Sequence, residues 1–171
     1  AGKLADVLAF DTGPGNMIID TLAEIITAGK SRYDKNGQMA ARGKINHDML
    51  DELMRHKFLK AKPPKTTGRE QFGKEFANTF FARAKRLRIA THDIMATATA
   101  FTAQSMAQSY TRFLNRDIDE VILCGGGSRN PTLVNMLRER TPAKVAVMDD
   151  YGIDADAKEA ISFAILARYS L

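Results

Sequence analysis

Apolar residues along the chain follow two patterns, short continuous runs and longer stretches with helical spacing. The continuous runs predict buried strands at 4–10, 120–124 and 144–148. The helical spacing predicts the helices: 17–28, 48–55, 71–85, 91–114, one from Pro131, and a final amphipathic helix at 156–169. We expect the helices at 71–85 and 91–114 to pack on a sheet, and the polar segment 30–45 to be a loop. Strand and helix alternate after residue 120, which predicts a right-handed parallel βαβ unit and an α/β fold.

A glycine-rich turn joins the first predicted strand to the first predicted helix, which Asn16 is expected to cap and Gly29 to end. Asp11 lies at the end of the strand, beside Gly13 and Gly15. A carboxylate held at a sheet edge suits a general base, and glycines let backbone N–H groups approach an anion. The alternative is that Asp11 only forms a turn with its own backbone, and spacing alone leaves both open.

A second glycine segment follows the strand at 120–124 and consists of Gly125, Gly126 and Gly127. It leaves a surface without side chains at the carboxyl end of a parallel strand, where open α/β sheets bind ligands, so a flat nucleotide fits there. The segment lacks the Gly-Lys-Ser/Thr of a Walker loop. Asn130 is a predicted N-cap and Pro131 a first helical residue, so a tight turn before a capped helix is the alternative.

Residues 63–70, which we call the strap, begin with paired prolines that exclude a helix and favour an extended backbone. Lys65, Thr66, Thr67 and Arg69 supply donors that could clamp a phosphate or a sugar carboxylate. The alternative is an exposed, solvated linker.

Asp156 and Glu159 have the spacing of a capping box at the start of the final helix. Capping explains both residues without a ligand. A binding role for Glu159 would require its carboxylate to turn outward into a cleft.

Composition narrows the function classes. The 171 residues fit one domain, and no apolar run is long enough for a membrane span. The net charge of +5 is densest at 83–88, but no aromatic residues interleave with that basic run, so we expect no nucleic-acid partner. The single cysteine, Cys124, predicts a cytoplasmic protein without a disulfide framework, and we expect its side chain to be buried. The three histidines have no metal-ligand spacing, so no metal site is predicted.

Four segments in order resemble the 1,6-anhydro-N-acetylmuramic acid kinase family: FDTGPGN at 10–16, PPKTTGRE at 63–70, CGGGSRNP at 124–131 and GIDADAKEA at 152–160. The family belongs to the sugar kinase, actin and heat-shock chaperone superfamily, in which two ribonuclease-H-like lobes close over ATP. The resemblance implies that residues 1–171 form the second lobe, a mixed sheet with flanking helices. It also implies an incomplete actin-like ATPase fold, without the N-terminal lobe and the first strands of the second lobe.

The resemblance also implies an activity, in which ATP, Mg²⁺ and water convert the anhydro sugar to N-acetylmuramic acid 6-phosphate during cell-wall recycling. It assigns Asp11 as the base that activates the water. It assigns the nucleotide side to Gly13, Gly15, Gly125, Gly126, Gly127 and Asn130, and the sugar side to Asn16, Glu159, Lys65 and Arg69. A homodimer is also implied. The alternative is a non-catalytic ligand-binding or protein-interaction module derived from that lobe.

Overall fold

A computed structural model describes residues 7–114, 117–154 and 157–170 of the chain. Within these ranges the α-helices are α1 (Met17–Ile26), α2 (Gln38–Ala41), α3 (His47–Met54), α4 (Lys57–Lys60), α5 (Arg69–Phe72), α6 (Lys74–Arg86), α7 (Thr91–Phe113), α8 (Pro131–Arg138) and α9 (Lys158–Ser170). The strands are β1 (Glu120–Leu123) and β2 (Lys144–Val147). Short 3₁₀ helices occupy Lys35–Gly37, Gly126–Arg129 and Met148–Tyr151. The architecture is mixed α/β and mostly helical.

Helix α7 forms the centre of the core. Residues 94–103 are all buried, and most of them are Ala or Thr. A helix that buries every face must be covered all round, and small side chains let its neighbours approach closely. Helices α1, α2, α3 and α8 provide that cover. The expectation that the helix at 91–114 packs on a sheet is therefore wrong, because its principal neighbours are helices.

The βαβ unit is confirmed as a parallel pair joined by α8. Its register runs from Glu120 opposite Lys144 to Leu123 opposite Val147. The Asn130 side chain accepts a hydrogen bond from the Leu133 N–H at 3.0 Å, which confirms the predicted N-cap. Among the described residues the sheet has these two strands, so the larger mixed sheet expected from the resemblance is not formed by them alone.

The predicted strand at 4–10 is not observed in its described part, 7–10, while residues 1–6 lie outside the described ranges. A strand requires a partner strand, and this segment lies against the strap instead. The Asp11 N–H donates to the Lys65 carbonyl at 3.0 Å. Val7 and Leu8 are 70% and 52% exposed.

Two further elements differ from the sequence prediction. The helix expected at 71–85 is divided into α5 and α6 because Gly73 has an extended backbone, with ψ −153°. The segment 30–45, expected to be a loop, contains α2. The buried Asp34 carboxylate initiates α2 by accepting from the N–H groups of Met39 at 2.8 Å and Ala40 at 3.0 Å.

Helix α9 is present as predicted, but its large apolar side chains are not buried against the described part of the chain. Ile161, Phe163, Ile165 and Leu166 are between 43% and 71% exposed. Asp156 of the predicted capping box lies outside the described residues. None of the described helices combines the length and apolar character needed to cross a membrane.

Candidate active site

The Asp11 carboxylate is held by the strap. Its Oδ2 accepts hydrogen bonds from the Thr66 hydroxyl and from the Thr67 backbone N–H, both at 2.8 Å. Because these partners lie more than 50 positions away in sequence, a turn made by Asp11 with its own backbone does not describe this carboxylate. Within the described residues Oδ1 has no hydrogen-bond partner. One carboxylate oxygen of Asp11 is therefore fixed by two hydrogen bonds.

The loop after Asp11 is seated on a stripe of hydroxyl side chains along α7. Thr102 Oγ1 donates to the Gly15 carbonyl at 2.8 Å, and Ser109 Oγ donates to the Thr12 carbonyl at 3.4 Å. Between them, a Cβ added at Gly13 would lie 2.6 Å from Ser105 Oγ. Residue 13 lies so close to Ser105 that only glycine can be accommodated there. The distance between α7 and the loop that follows Asp11 is therefore fixed.

The second glycine segment lies against Asn16. Gly125 has a φ of +73°, which favours glycine, and a Cβ added at Gly126 would lie 3.6 Å from Asn16 Nδ2. A cavity of about 190 Å³ is lined by Gly15, Asn16, the glycines at 125–127 and apolar residues of α8. The structure thus brings the first and the second glycine segments together around one cavity.

A second cavity of about 500 Å³ adjoins the same residues. Asn16, Gly126, Gly127 and Asn130 line one side, and the segment 32–36 lines the other. Its charged groups include Asp20, Arg32 and Lys35. The predicted residues Asn16 and Asn130 therefore both border this space, although the Asn130 side chain is mostly used as the cap of α8.

Asn16 does not cap α1, and this prediction is wrong. The residue is near-helical, with φ −89° and ψ −4°, so its side chain is not placed over the first turn of the helix. Instead Asn16 Nδ2 donates to Asp20 Oδ2 at 2.8 Å. This bond fixes the orientation of the Asn16 amide at the junction of the two cavities.

Asp20 lines the larger cavity and bonds to Asn16, and the sequence reasoning did not name it. Burial, and to a smaller extent the nearby Asp34 carboxylate, together raise the pKa of the Asp20 carboxyl from the usual 3.8 to about 6. The available signal was its spacing, because residues four apart on a helix lie on one face and Asp20 follows Asn16 at that interval.

We expect Asp20→Asn to stabilise the chain at pH 7 and to flatten its stability between pH 4 and 6. The folded-state pKa of Asp20 exceeds its unfolded value, so the penalty for the carboxylate is absent below about pH 4 and complete above about pH 6. The full shift corresponds to about 3 kcal/mol, and screening of this half-buried group reduces the expected gain at pH 7 to about 1 kcal/mol. Urea unfolding at several pH values measures it.

The control is Asp51→Asn, which makes the same change at an exposed position of α3. A D20N profile with the same pH slope as the wild type would contradict the assigned environment of Asp20. Asparagine keeps an acceptor for Asn16 Nδ2, so the comparison isolates the charge.

Lys65 and Arg69 are placed differently from each other. Lys65 Nζ lies 4.6 Å from the ring centroids of both Phe58 and Phe113 and donates to the Phe58 carbonyl at 3.2 Å. Burial lowers the pKa of this ammonium, and the Arg112 guanidinium adds to the effect. Arg69 begins α5 and is exposed. Lys65 therefore lies beside Asp11 with its charge facing aromatic rings, whereas the structure does not bring Arg69 to the cavities.

Two other predictions concern Cys124 and Glu159. Cys124 is exposed, so the expectation of a buried side chain is wrong. The strand β1 ends at Leu123, which leaves the next residue at the rim of the smaller cavity rather than inside the sheet. Glu159 falls in α9, but its side chain lies outside the described residues, so its role stays a prediction.

A comparison of the whole sequence with protein families gives one decisive match. The model of the anhydro-N-acetylmuramic acid kinase family matches residues 4–171. The chain belongs to this family. The four sequence segments that carried the resemblance all lie inside the matched region, so the resemblance is confirmed.

Named anhydro-N-acetylmuramic acid kinases of several bacteria align with nearly all of the chain. The one from Caldanaerobacter subterraneus subsp. tengcongensis is 48% identical over 169 residues, which is 97% of this chain and 43% of that protein. The kinase of Clostridioides difficile is 43% identical over 99% of the chain, and that of Bacillus cereus strain AH820 is 46% identical over 95%. The chain spans less than half the length of these relatives.

Proposed function

We propose that the chain is the catalytic half of an ATP-dependent kinase that converts 1,6-anhydro-N-acetylmuramic acid to N-acetylmuramic acid 6-phosphate. The observation that carries the proposal is the Asp11 carboxylate, with Oδ2 fixed by Thr66 and Thr67 at the head of a loop that leads to the glycine-lined cavity. Family membership supports the substrate, because the relatives bear the name of this kinase.

Asp11 would act as the general base. In the proposed reaction its Oδ1 takes a proton from a water molecule while the water oxygen attacks the anomeric carbon of the sugar. The bond between that carbon and O6 breaks. O6 then takes the γ-phosphoryl group of ATP, and ADP leaves. A positioned carboxylate contributes about 10²- to 10⁴-fold as a base, so positioning of the phosphoryl group must supply much of the remainder.

The nucleotide would occupy the two adjoining cavities. The glycines at 125–127 provide a wall without side chains, which a flat base or a ribose can approach closely. Arg32 and Lys35 add positive charge beside it. Gly13 and Gly15, on the loop seated against α7, would lie nearer the phosphates.

The described residues contain no group of three His, Cys, Asp or Glu side chains suited to hold a metal ion. In kinases Mg²⁺ is bound mainly by substrate phosphates, with one or two carboxylates from the protein. Asp20 and Asp34 are the carboxylates that line the larger of the two adjoining cavities. Asp11 lines a separate cavity of about 740 Å³, together with Lys65 and Thr66 of the strap. When bound, Mg²⁺ would neutralise charge on the phosphates.

We also propose that this chain is the second lobe of a two-lobed, actin-like kinase. The exposed apolar side chains of α9, and those of Val7 and Leu8, support a further layer of protein over each of these two segments. The N-terminal lobe and further strands of a ribonuclease-H-like sheet would supply this layer. A homodimer and a cytoplasmic location complete the proposal.

Reconstitution tests the function. The chain is mixed with the remaining part of the Caldanaerobacter subterraneus relative, expressed separately, and the pair is given ATP, Mg²⁺ and the anhydro sugar. We expect the pair to form sugar phosphate and ADP in equal amounts, and each half alone to form neither, because the cleft needs both lobes. Mass spectrometry of the sugar and an ADP assay measure the products.

A control reaction contains N-acetylmuramic acid, which lacks the anhydro bridge. ADP formation by the pair without any sugar phosphate would contradict the proposed reaction. Formation of the phosphate by this chain alone would contradict the need for a second lobe.

A further inference from the structure

We propose that the strap is the positioning device of Asp11, with Thr66 orienting the carboxylate and Lys65 anchoring the strap rather than binding the sugar. The inference rests on the proposed function, since it concerns the base of that reaction. It assigns positioning roles, because neither residue needs to touch the substrate.

The orientation follows from the two donors on a single oxygen. The Thr66 hydroxyl and the Thr67 N–H both reach Asp11 Oδ2 at 2.8 Å, and they come from adjacent residues of one extended segment. Two bonds to one oxygen restrict rotation about the bond to the carboxyl carbon. In the described part of the chain, Oδ1 has no donor of its own, so it keeps its full capacity to accept a proton.

A third bond fixes the backbone of the base. The Asp11 N–H donates to the Lys65 carbonyl at 3.0 Å, so the main chain and the side chain of Asp11 are both tied to residues 65–67. The position of the base therefore depends directly on the position of the strap.

The Lys65 side chain anchors the strap to the protein. Its ammonium lies 4.6 Å from the centroids of the Phe58 ring and the Phe113 ring, which come from α4 and the end of α7. It also donates to the Phe58 carbonyl at 3.2 Å. Cation–π contacts of this kind fix a flexible lysine stem between two helices. The charge is thereby engaged within the protein.

The first test compares Thr66→Val with Thr66→Ser in the reconstituted pair. Valine has the shape of threonine without the hydroxyl, whereas serine keeps the hydroxyl. We expect T66V to lower kcat about tenfold with the KM values for sugar and ATP within about twofold of wild type, and T66S to keep most of kcat. A misplaced base slows chemistry, since it alters the transition state more than substrate binding.

The second test uses Lys65→Met, which keeps an unbranched apolar stem without the ammonium. If Lys65 anchors the strap, K65M should lower kcat about tenfold and leave the KM for the sugar unchanged. If Lys65 instead binds the sugar, K65M should raise the KM for the sugar about tenfold or more and leave kcat largely unchanged.

The outcomes distinguish an error in the positioning roles from an error in the proposed kinase activity. Wild-type kcat in T66V, equal losses in T66V and T66S, or a KM effect alone in K65M would overturn the positioning roles while the kinase activity stands. A wild-type pair that forms no sugar phosphate would overturn the proposed function and this inference with it.

Discussion

Asp11→Asn is expected to lower kcat of the reconstituted pair by about 10²- to 10⁴-fold, the largest effect of any single side chain in the site. Asparagine has the size of aspartate, and its oxygen can still accept from Thr66 and the Thr67 N–H. It cannot take a proton from water. The loss therefore reports the base and not the fold of the loop.

The measurement is the rate of sugar phosphate formation at saturating ATP and sugar, with the KM values recorded alongside. Because the lost interaction is made in the transition state, kcat and kcat/KM should fall together. Asp51→Asn, an exposed aspartate of α3, is the matched control and should keep the wild-type rate. A D11N pair with unchanged kcat would show that another group is the base.

The elements with local signals were the ones that the sequence predicted well. Asn130 and Pro131 are a cap and a first helical residue in the sequence and in the structure, because an N-cap needs partners only three residues away. Strands β1 and β2 likewise follow from continuous apolar runs, and their parallel pairing follows from the helix between them.

The errors came from contacts that are distant in sequence. The run at 7–10 has the composition of a strand, but its neighbour is the strap, more than 50 residues away, so local pattern could not show that it lacks a strand partner. The sequence analysis predicts that the helix at 91–114 packs on a sheet. Its small residues instead let α1, α2, α3 and α8 surround it, and the choice between these arrangements depends on the positions of all four helices.

The site shows the same division at the level of side chains. The sequence predicts Asp11 and the glycines at 125–127 as site residues, since each has a distinctive local sequence. It did not identify what holds Asp11. The sequence analysis interprets the strap as a source of hydrogen-bond donors for a ligand. In the structure the Thr66 hydroxyl and the Thr67 N–H donate to the Asp11 carboxylate instead. Asp20 was missed because a lone aspartate on a helix has no signature until its cavity is known.

Gly13→Ala is expected to combine a loss of stability with a loss of activity. The new Cβ would lie 2.6 Å from Ser105 Oγ, 3.0 Å from Ser105 Cβ and 3.4 Å from Leu59 Cδ2. Overpacking of this kind costs about 1–3 kcal/mol, because the loop or α7 must shift to relieve it. A shift of the loop also moves Asp11, two residues earlier, and a displacement of about 1 Å can cost about 10²-fold in rate. Urea unfolding and kcat of the reconstituted pair measure the two effects.

A double substitution shows whether the contact with Ser105 is the cause. Ser105→Ala removes the nearest atom but leaves the Cβ at 3.0 Å, so G13A/S105A should recover part of the stability and part of kcat. Gly126→Ala is the matched control for stability, because its Cβ would meet Asn16 Nδ2 at an ordinary 3.6 Å. If the losses in G13A and S105A are additive and the double variant recovers neither stability nor kcat, the contact with Ser105 is not the cause. The hydroxyl side chains of α7 would then not determine the position of the loop, and the placement of Asp11 would depend on the strap alone.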